Sequence, residues 1–249
     1  MKKPVMIKKL PFGGGKVSIC VPMVGRTCQE ILEEAEALLP AGPDLVEWRG
    51  DFFEGIFDRE SCRILLQQLE QILGEIPLLF TFRSQGEGGE LPITAEAYTE
   101  LNLWMAAQTE VAAVDVEALR PDLDSESLIR GIRERGKVVF ASNHHFQETP
   151  SSAEMRAILA KEEELGADVL KMAVMPKTGE DVLRLLQITW EMDQQTDKPV
   201  VTMSMGPLGG ISRVAGHVTG SCMSFGTVGR ASAPGQLPVA ELRRMLELL

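Results

Sequence analysis

Short apolar runs alternate with longer amphipathic segments along the whole chain. The apolar runs, which have the length and residue types of buried strands, are residues 16–23, 44–49, 77–83, 111–117, 137–142, 168–174, 198–203 and 221–227. Apolar residues recur at helical spacing in residues 28–39, 59–73, 95–108, 123–135, 152–165, 178–195, 211–218 and 238–249. Eight strands that each precede a helix predict parallel pairing through crossover helices.

Eight such units in 249 residues predict a (β/α)8 barrel, with residues 1–249 as a single domain. The structural alternative is a doubly wound open sheet. That fold usually carries a glycine-rich loop after its first strand, where this chain has residues 21–25, VPMVG. Residues 5–15 precede the first strand and end in three glycines. They predict either a short hairpin that closes the bottom of the barrel or a loose arm.

Composition and charge narrow the range of partners. A formal net charge of −11 and a pI of about 4.9 disfavour nucleic acid and anionic membranes, although local arginines can still hold a small anion. No apolar run approaches the ~20 residues that a membrane span needs, and residues 1–6 do not resemble a secretory signal. Four cysteines without a CxxC pair and three histidines without metal-ligand spacing favour a cytoplasmic protein without a metal site.

Polar residues collect at the ends of the predicted strands, which is where a barrel carries its active site. Side chains alternate along a strand, so residues two apart share a face. Polar or methionine side chains of one parity are Glu47, Arg49, Thr81, Arg83, Asp115, Glu117, Ser142, His144, Lys171, Met203 and Met205. Because charged side chains are rarely buried without a partner or a function, this shared parity predicts a site at the mouth of the barrel.

Lys171 interrupts the apolar sixth strand, and two interpretations remain open. It could be a structural lysine that pairs with a strand carboxylate, namely Glu47, Asp115 or Glu117. It could instead be a desolvated nucleophile that attacks a carbonyl and forms an imine.

His144 follows the fifth predicted strand, in the tandem pair His144–His145. A surface role is one interpretation, and a proton carrier near neutral pH is the other. The parity that His144 shares with Ser142 favours His144 over His145.

Two loops at the same end of the barrel contain further candidates. Arg213 follows the glycine-containing residues 205–212 and is either a surface arginine or a bidentate carboxylate clamp. Residues 229–238 are rich in Gly, Pro and Ser. They form either an ordinary connection or a lid that brings Ser232 and Gln236 to a substrate.

Taken together, these motifs resemble the type I 3-dehydroquinate dehydratases over essentially the whole chain. The matching pieces are residues 47–49, 81–84, 87–89, 114–117, 144, 171–176, 203–206, 211–213 and 231–236. Each motif alone is weak evidence for the family, whereas all of the motifs in this order are specific to it. The resemblance implies a (β/α)8 barrel, a homodimer, and neither a metal nor an organic cofactor.

The resemblance also implies roles for individual residues. Lys171 would be the imine-forming nucleophile, His144 the general acid and base, and Glu87 the carboxylate that orients the histidine. The implied substrate contacts are Glu47, Arg49, Arg83, Met203, Arg213, Phe225, Ser232, Ala233 and Gln236. One departure is His145, which stands where many members have Asp.

The implied reaction is the syn elimination of water from 3-dehydroquinate, an anionic cyclohexane carboxylate, to give 3-dehydroshikimate in the shikimate pathway. Two other functions fit the same pattern. A class I aldolase-type lyase shares the imine but cleaves a carbon–carbon bond. A catalytically silent barrel would bind a ligand without turnover, although the presence of both Lys171 and His144 argues against it.

Overall fold

The computed structural model describes residues 4–229 and 232–248, and a curled parallel sheet forms its centre. The strands in chain order are β1 (Val5–Ile7), β2 (Leu10–Phe12), β3 (Ser18–Met23), β4 (Leu45–Arg49), β5 (Leu78–Thr81), β6 (Val111–Glu117), β7 (Val138–His145), β8 (Val169–Val174), β9 (Val200–Ser204), β10 (Met223–Thr227) and β11 (Leu237–Pro238). Strands β3 to β9 lie side by side in chain order, and β10 pairs with β3. A bridge between Val200 and Ser221 joins the two ends of this sheet, so the strands form the predicted barrel.

Helices cover the outside of the barrel. They are α1 (Cys28–Leu38), α2 (Arg59–Leu73), α3 (Ala95–Ala106), α4 (Ser125–Glu134), α5 (Ser152–Glu164), α6 (Gly179–Gln195), α7 (Gly216–Thr219) and α8 (Val239–Leu248). Within the described ranges, no helix combines the length and the apolar character that a membrane crossing requires.

The seventh helix differs from its prediction. Instead of one helix over residues 211–218, the chain forms a 3-10 turn, Gly210–Arg213, and then the four-residue α7. The hydroxyl of Ser212 accepts from the backbone N–H of Ser204 at 2.9 Å and donates to the carbonyl of Gly209 at 2.7 Å. These bonds hold the chain in a tight turn against the end of β9, in place of the first part of the predicted helix.

Local signals explain the helix boundaries. Ser151 and Glu154 form the capping box expected from their spacing, since each side chain accepts from the other's backbone N–H, at 3.3 and 2.9 Å. Gly136 and Gly166 end their helices with φ values of +75° and +89°, a conformation in which a side chain would be strained.

Alternate strand residues pack into two separate apolar layers, as the parity argument predicts. The outward layer between strands and helices includes Val46, Trp48, Phe80, Phe82, Val114 and Met172. The inward layer includes Leu45, Leu79, Ala113, Phe140, Val169 and Val201. Trp48 is fully buried against Phe53 and Phe80, so its ring faces away from the barrel interior.

The N-terminal segment is a hairpin rather than a loose arm. Strands β1 and β2 pair antiparallel, and Ile7 and Phe12 are fully buried in the inward layer. The ring of Phe12 lies edge-on to Phe140, with 5.3 Å between the centroids. The hairpin thus closes the bottom of the barrel. The single-domain organisation of residues 1–249 stays a prediction.

Candidate active site

The C-terminal ends of the strands surround a cavity of about 520 Å3, part of which is open to solvent. Every residue to which the family resemblance gave a role lines this cavity: Lys171, His144, Glu87, Glu47, Arg49, Arg83, Met203, Arg213, Phe225, Ser232, Ala233 and Gln236. Further lining residues, to which the sequence analysis assigned no catalytic or binding role, are Thr81, Gly88, Phe146, Ala173 and Met205.

Lys171 places its amine at the centre of the barrel mouth. The residue is 2% exposed, and its Nζ lies 2.7 Å from Oδ2 of Asp115 and 3.7 Å from Oε1 of Glu47. The ring of Phe225 has its centroid 5.0 Å from Nζ. Lys171 therefore has ion-pair partners, as expected of a structural lysine, and it also lines the cavity, as expected of a nucleophile.

Asp115 connects the lysine to a second cation. Its Oδ1 accepts from Nη2 of Arg83 at 2.7 Å and from the hydroxyl of Ser142 at 2.6 Å. Burial opposes ionisation of this carboxyl, but the charges of Arg83 and Lys171 hold the pKa of Asp115 well below its usual range. Glu117, two residues on, accepts from Nη1 of Arg83 at 3.2 Å. Both carboxylates share the predicted inward parity, although neither was assigned a role of its own.

The histidine of the site belongs to a strand and not to a loop. Strand β7 continues to His145, three residues beyond the predicted end, because it pairs with β8 as far as Val174. Nδ1 of His144 lies 2.9 Å from Oε2 of Glu87. Glu87 comes from the 3-10 turn Gln85–Glu87 that follows β5. Two segments distant in sequence therefore form one hydrogen-bonded pair.

Burial controls the protonation of this pair. Desolvation raises the pKa of Glu87 to about 8. Desolvation, with the positive charges of Arg83 and Lys171, holds the pKa of His144 well below its usual range. Both shifts favour the neutral forms near pH 7, so one proton is available to the pair.

Phe146 packs beside the histidine. Its ring lies 20° from parallel to that of His144, with 6.4 Å between the centroids. A Cβ atom at Gly88 would lie 2.3 Å from Cε2 of Phe146, and Gly88 has a φ of +82°. The glycine next to Glu87 is therefore required both for the turn and for the approach of this ring.

Two buried arginines at the mouth have different partners. Arg49 forms a bidentate pair with Asp51, at 2.8 and 2.7 Å. Arg213 donates to the carbonyl of Pro234 at 2.9 Å, but it has no ion pair with any residue of the described chain, and its Nε has no hydrogen-bond partner there. Burial lowers the pKa of Arg213 to about 10, so the side chain is still a cation near pH 7. Such a cation fits an anionic ligand group.

The segment predicted as a lid contributes to the cavity wall. The side chain of Gln236 bonds to Ser232 twice, through the Ser232 backbone N–H at 3.0 Å and the hydroxyl at 2.9 Å. The carbonyl of Pro234 accepts from the N–H of Gly206 at 3.1 Å. Arg230 and Ala231, which belong to the predicted lid, lie outside the described residues.

A parallel barrel with titratable side chains gathered in one cavity at the carboxyl ends of its strands has the architecture of a (β/α)8-barrel enzyme. Residues 19–249 match the sequence model of the family described as type I 3-dehydroquinase. The chain belongs to that family, and it is accordingly a hydro-lyase. The predicted family and fold are thus confirmed, whereas the roles assigned to single residues stay predictions.

Similar proteins agree in sequence and in structure. A 3-dehydroquinate dehydratase from Listeria innocua is 46% identical over 98% of this chain and 97% of its own. One from Klebsiella pneumoniae strain 342 is 42% identical over 100% of both chains. Among solved structures, 3-dehydroquinate dehydratase from Geobacillus kaustophilus has a TM-score of 0.95 at 37% identity, covering 100% of this chain and 98% of that one. The type I enzyme from Clostridium difficile, with covalent modified comenic acid, has a TM-score of 0.95 at 40% identity and the same coverage.

Proposed function

We propose that this protein dehydrates 3-dehydroquinate to 3-dehydroshikimate through an imine on Lys171, as a step of the shikimate pathway towards aromatic amino acids. Family membership and the names of the relatives support the substrate. The observation that carries the mechanism is a single cavity lined by a buried lysine amine, the His144–Glu87 pair and the buried cation of Arg213. These groups supply a nucleophile, a proton carrier and an anion site.

The substrate is bound by charge at one end and by hydrogen bonds along the ring. Arg213 binds the carboxylate. Glu47, Arg83 and Gln236 bind ring hydroxyls and direct the C3 ketone to Lys171. The remaining contacts are made by Arg49, Met203, Phe225, Ser232 and Ala233. Fixing the ketone next to the amine converts the attack into an effectively unimolecular step.

The first chemical step forms the imine. Lys171 passes a proton to His144, and its amine then attacks C3 of the substrate. The ketone oxygen takes that proton back from His144 and a second one from the nitrogen, and it leaves as water. The product is a cationic carbon–nitrogen double bond. Asp115, which already lies 2.7 Å from Nζ, neutralises this cation while retaining its bond to Arg83.

The elimination follows on the imine. His144 removes the C2 proton, and the electron pair that remains moves into the imine, giving an enamine. The enamine expels the C1 hydroxyl, which takes a proton from His144 and leaves as water. One base on one face of the ring suffices, in agreement with syn elimination. Water then hydrolyses the product imine and regenerates Lys171. Glu87 orients the histidine and stabilises its charged form.

Borohydride trapping tests the proposal directly. Incubation with 3-dehydroquinate and borohydride should add the mass of product plus hydride to the chain, and peptide mapping should locate it at Lys171. Turnover without an adduct would contradict the imine and leave a non-covalent dehydratase. A chain that neither turns over nor traps this substrate, but cleaves a carbon–carbon bond in a phosphorylated one, would instead be an aldolase. Saturable binding without turnover would indicate the silent barrel.

Two properties of the whole protein accompany this proposal. The family resemblance supports a homodimer, and the composition supports a cytoplasmic location. Light scattering should give about twice the 27.3 kDa of one chain, and fractionation of the source cells should place the activity in the cytosol. A monomer in solution would contradict the first of these.

A further inference from the structure

Glu162 is a buried carboxyl that the proposed mechanism does not use. It lies on α5 at helical spacing from Met155 and Leu159, which are buried in the layer between helices and barrel. This stripe of a helix normally carries apolar residues. Glu162 is 0% exposed. A carboxyl group in such a place is unfavourable unless an interaction offsets its loss of hydration.

The interaction that Glu162 makes is with the backbone of Lys171. Its Oε2 accepts from the N–H of Lys171 at 3.0 Å. Its Oε1 is buried without a hydrogen-bond partner among the residues described, and no ion pair to Glu162 is found there. The carboxyl thus reaches, from behind the sheet, the residue whose side chain enters the cavity on the other side.

Two other carboxylates that bind strand amides differ from Glu162. Asp44 accepts from the N–H of Ile19 at 2.9 Å and also pairs with Lys16 at 2.8 Å. Asp168 accepts from the N–H of Val139 at 3.0 Å and lies 3.3 Å from Arg133. Both lie at the bottom of the barrel, where a cation balances each charge. Glu162 is buried at the level of the lysine without such a cation among the described residues, so its bond to the Lys171 backbone is the interaction that offsets its burial.

We propose that Glu162 is a positioning residue for imine formation, which holds the backbone of Lys171 so that the amine enters the cavity at the correct point. Asp115 holds the other end of the same residue, at Nζ. The inference rests on the imine proposed above. A displacement of about 1 Å at a reacting group can cost about 100-fold in rate, so a fixed backbone at the nucleophile has a direct catalytic value.

The protonation state of Glu162 determines which substitutions test its role. Burial, with further contributions from the negative charges of Glu87 and Asp115, holds the pKa of Glu162 well above its usual range. The neutral form of this side chain is therefore favoured by its surroundings. Glutamine has the same shape, is neutral, and keeps an oxygen that can accept from Lys171. Leucine has a similar volume and no acceptor, and aspartate keeps the carboxyl but is one methylene too short.

The experiment measures the single-turnover rate of adduct formation at Lys171, together with KM and kcat, in the full-length chain. Glu162→Gln should form the imine within about threefold of the wild-type rate, whereas Glu162→Leu and Glu162→Asp should be slower by about tenfold or more at a nearly unchanged KM. The matched control is Thr189→Val. Thr189 is fully buried on α6 and bonds to Thr202 of β9 at 2.5 Å, so its loss should leave the imine rate unchanged.

Each result has a clear meaning. Wild-type rates in both Glu162→Leu and Glu162→Asp overturn the proposal, as does a Glu162→Gln enzyme that is as slow as Glu162→Leu, or a loss of the same size in Thr189→Val. If Glu162→Leu does not fold, the aspartate variant decides. A wild-type enzyme that turns over without any adduct overturns the imine itself, and this inference with it.

Discussion

The two ends of the barrel use the same strands for different purposes. At the bottom, the interior is filled by apolar side chains from the hairpin and the strand beginnings: Ile7, Phe12, Leu45, Leu79, Phe140 and Val169. At the mouth, the same inward direction is taken by charged side chains that are 3% exposed or less: Glu47, Arg83, Asp115, Glu117 and Lys171. The inward-pointing side chains of the same strands are therefore apolar at the bottom of the barrel and ionic at its mouth.

The energetics of the two ends differ in the same way. Burial of a large apolar side chain stabilises the folded state by about 1.5–3 kcal/mol. Burial of an ion pair often contributes nothing net, because the loss of hydration offsets the attraction. The apolar bottom thus stabilises the fold, whereas the ionic mouth is accounted for by the proposed chemistry. Changes at the mouth should alter activity most, and changes at the bottom should alter stability most.

The largest expected effect is that of Lys171→Ala at the mouth. Without the amine no imine forms, and kcat should fall by about four orders of magnitude or more. Steady-state kinetics and borohydride trapping measure the loss. Lys137→Ala is the matched control, since Lys137 lies at the bottom and donates to the carbonyls of Gln108 and Val111 at 2.8 and 2.6 Å. Near wild-type turnover in Lys171→Ala would exclude the covalent mechanism.

Next in size is His144→Ala. Its proton transfers should stall, with kcat falling by about 1,000-fold, while some imine on Lys171 should still be trapped. The neighbouring His145→Ala is the control. His145 is on the same strand, but it does not line the cavity around Lys171, so it should keep most activity. An unchanged kcat in His144→Ala would assign the base to another residue, with His145 as the first candidate.

These two residues show how far sequence reasoning reaches. Alternation along a strand is a local property, so it placed Lys171, Glu47 and Asp115 on one face correctly. The choice of partner is not local. Lys171 lies closest to Asp115 because the registers of β6 and β8 bring them together, and this depends on the whole barrel.

Two features were beyond local reasoning for similar reasons, and a third was missed although it carried a local signal. The polar end of β7 reads as a loop, but pairing with β8 extends the strand through His145. The tight turn at Gly210–Arg213 depends on contacts of Ser212 with the end of β9. Glu162 did carry a signal, because its spacing from Leu159 places it on an apolar stripe. A charged residue on such a stripe deserves the same scrutiny as one inside a strand.

Phe12→Ala tests the apolar bottom of the barrel, where changes should alter stability rather than activity. Removal of a fully buried ring at the barrel bottom should lower the free energy of unfolding by about 4 kcal/mol. Well below the melting temperature, kcat/KM should stay near the wild-type value, because no group at the mouth changes. Urea unfolding and kinetics on the same preparation measure both. A large fall in kcat/KM of the folded variant would mean that the two ends are coupled.

A smaller effect is expected for Arg213→Met, which removes the proposed carboxylate site and keeps most of the volume. A hydrogen bond to a charged group contributes about 1.5–3 kcal/mol to binding, so its loss should raise KM by about 10- to 100-fold. Arg133→Met, which removes an arginine that pairs with Asp168 at the bottom, should leave KM unchanged. An unaltered KM in Arg213→Met would assign the substrate carboxylate to another cation.

The smallest expected effect is a pH dependence of the unfolding free energy that arises at the mouth and not at the bottom. The pKa of Glu87 is about 8 in the folded protein and about 4.3 in an unfolded chain. A raised folded pKa means that the folded state binds the proton more tightly. The resulting stabilisation is complete below about pH 4 and is lost as the pH rises through about 8. His144, whose pKa is depressed, affects stability only below its unfolded value of about 6.5, so the interval from about pH 7 to 8 separates Glu87 from His144.

Over that interval, the free energy of unfolding of the wild type should fall by about 1 kcal/mol relative to Glu87→Gln, which cannot titrate. Urea unfolding of both proteins at the two pH values measures the difference. Phe12→Ala, by contrast, should cost the same at both, because Phe12 belongs to the apolar layer at the bottom and not to the His144–Glu87 pair. A pH-independent difference between wild type and Glu87→Gln would mean that the pKa of Glu87 lies outside this interval. A pKa below the interval would require the proton of the His144–Glu87 pair to come from elsewhere in the mouth.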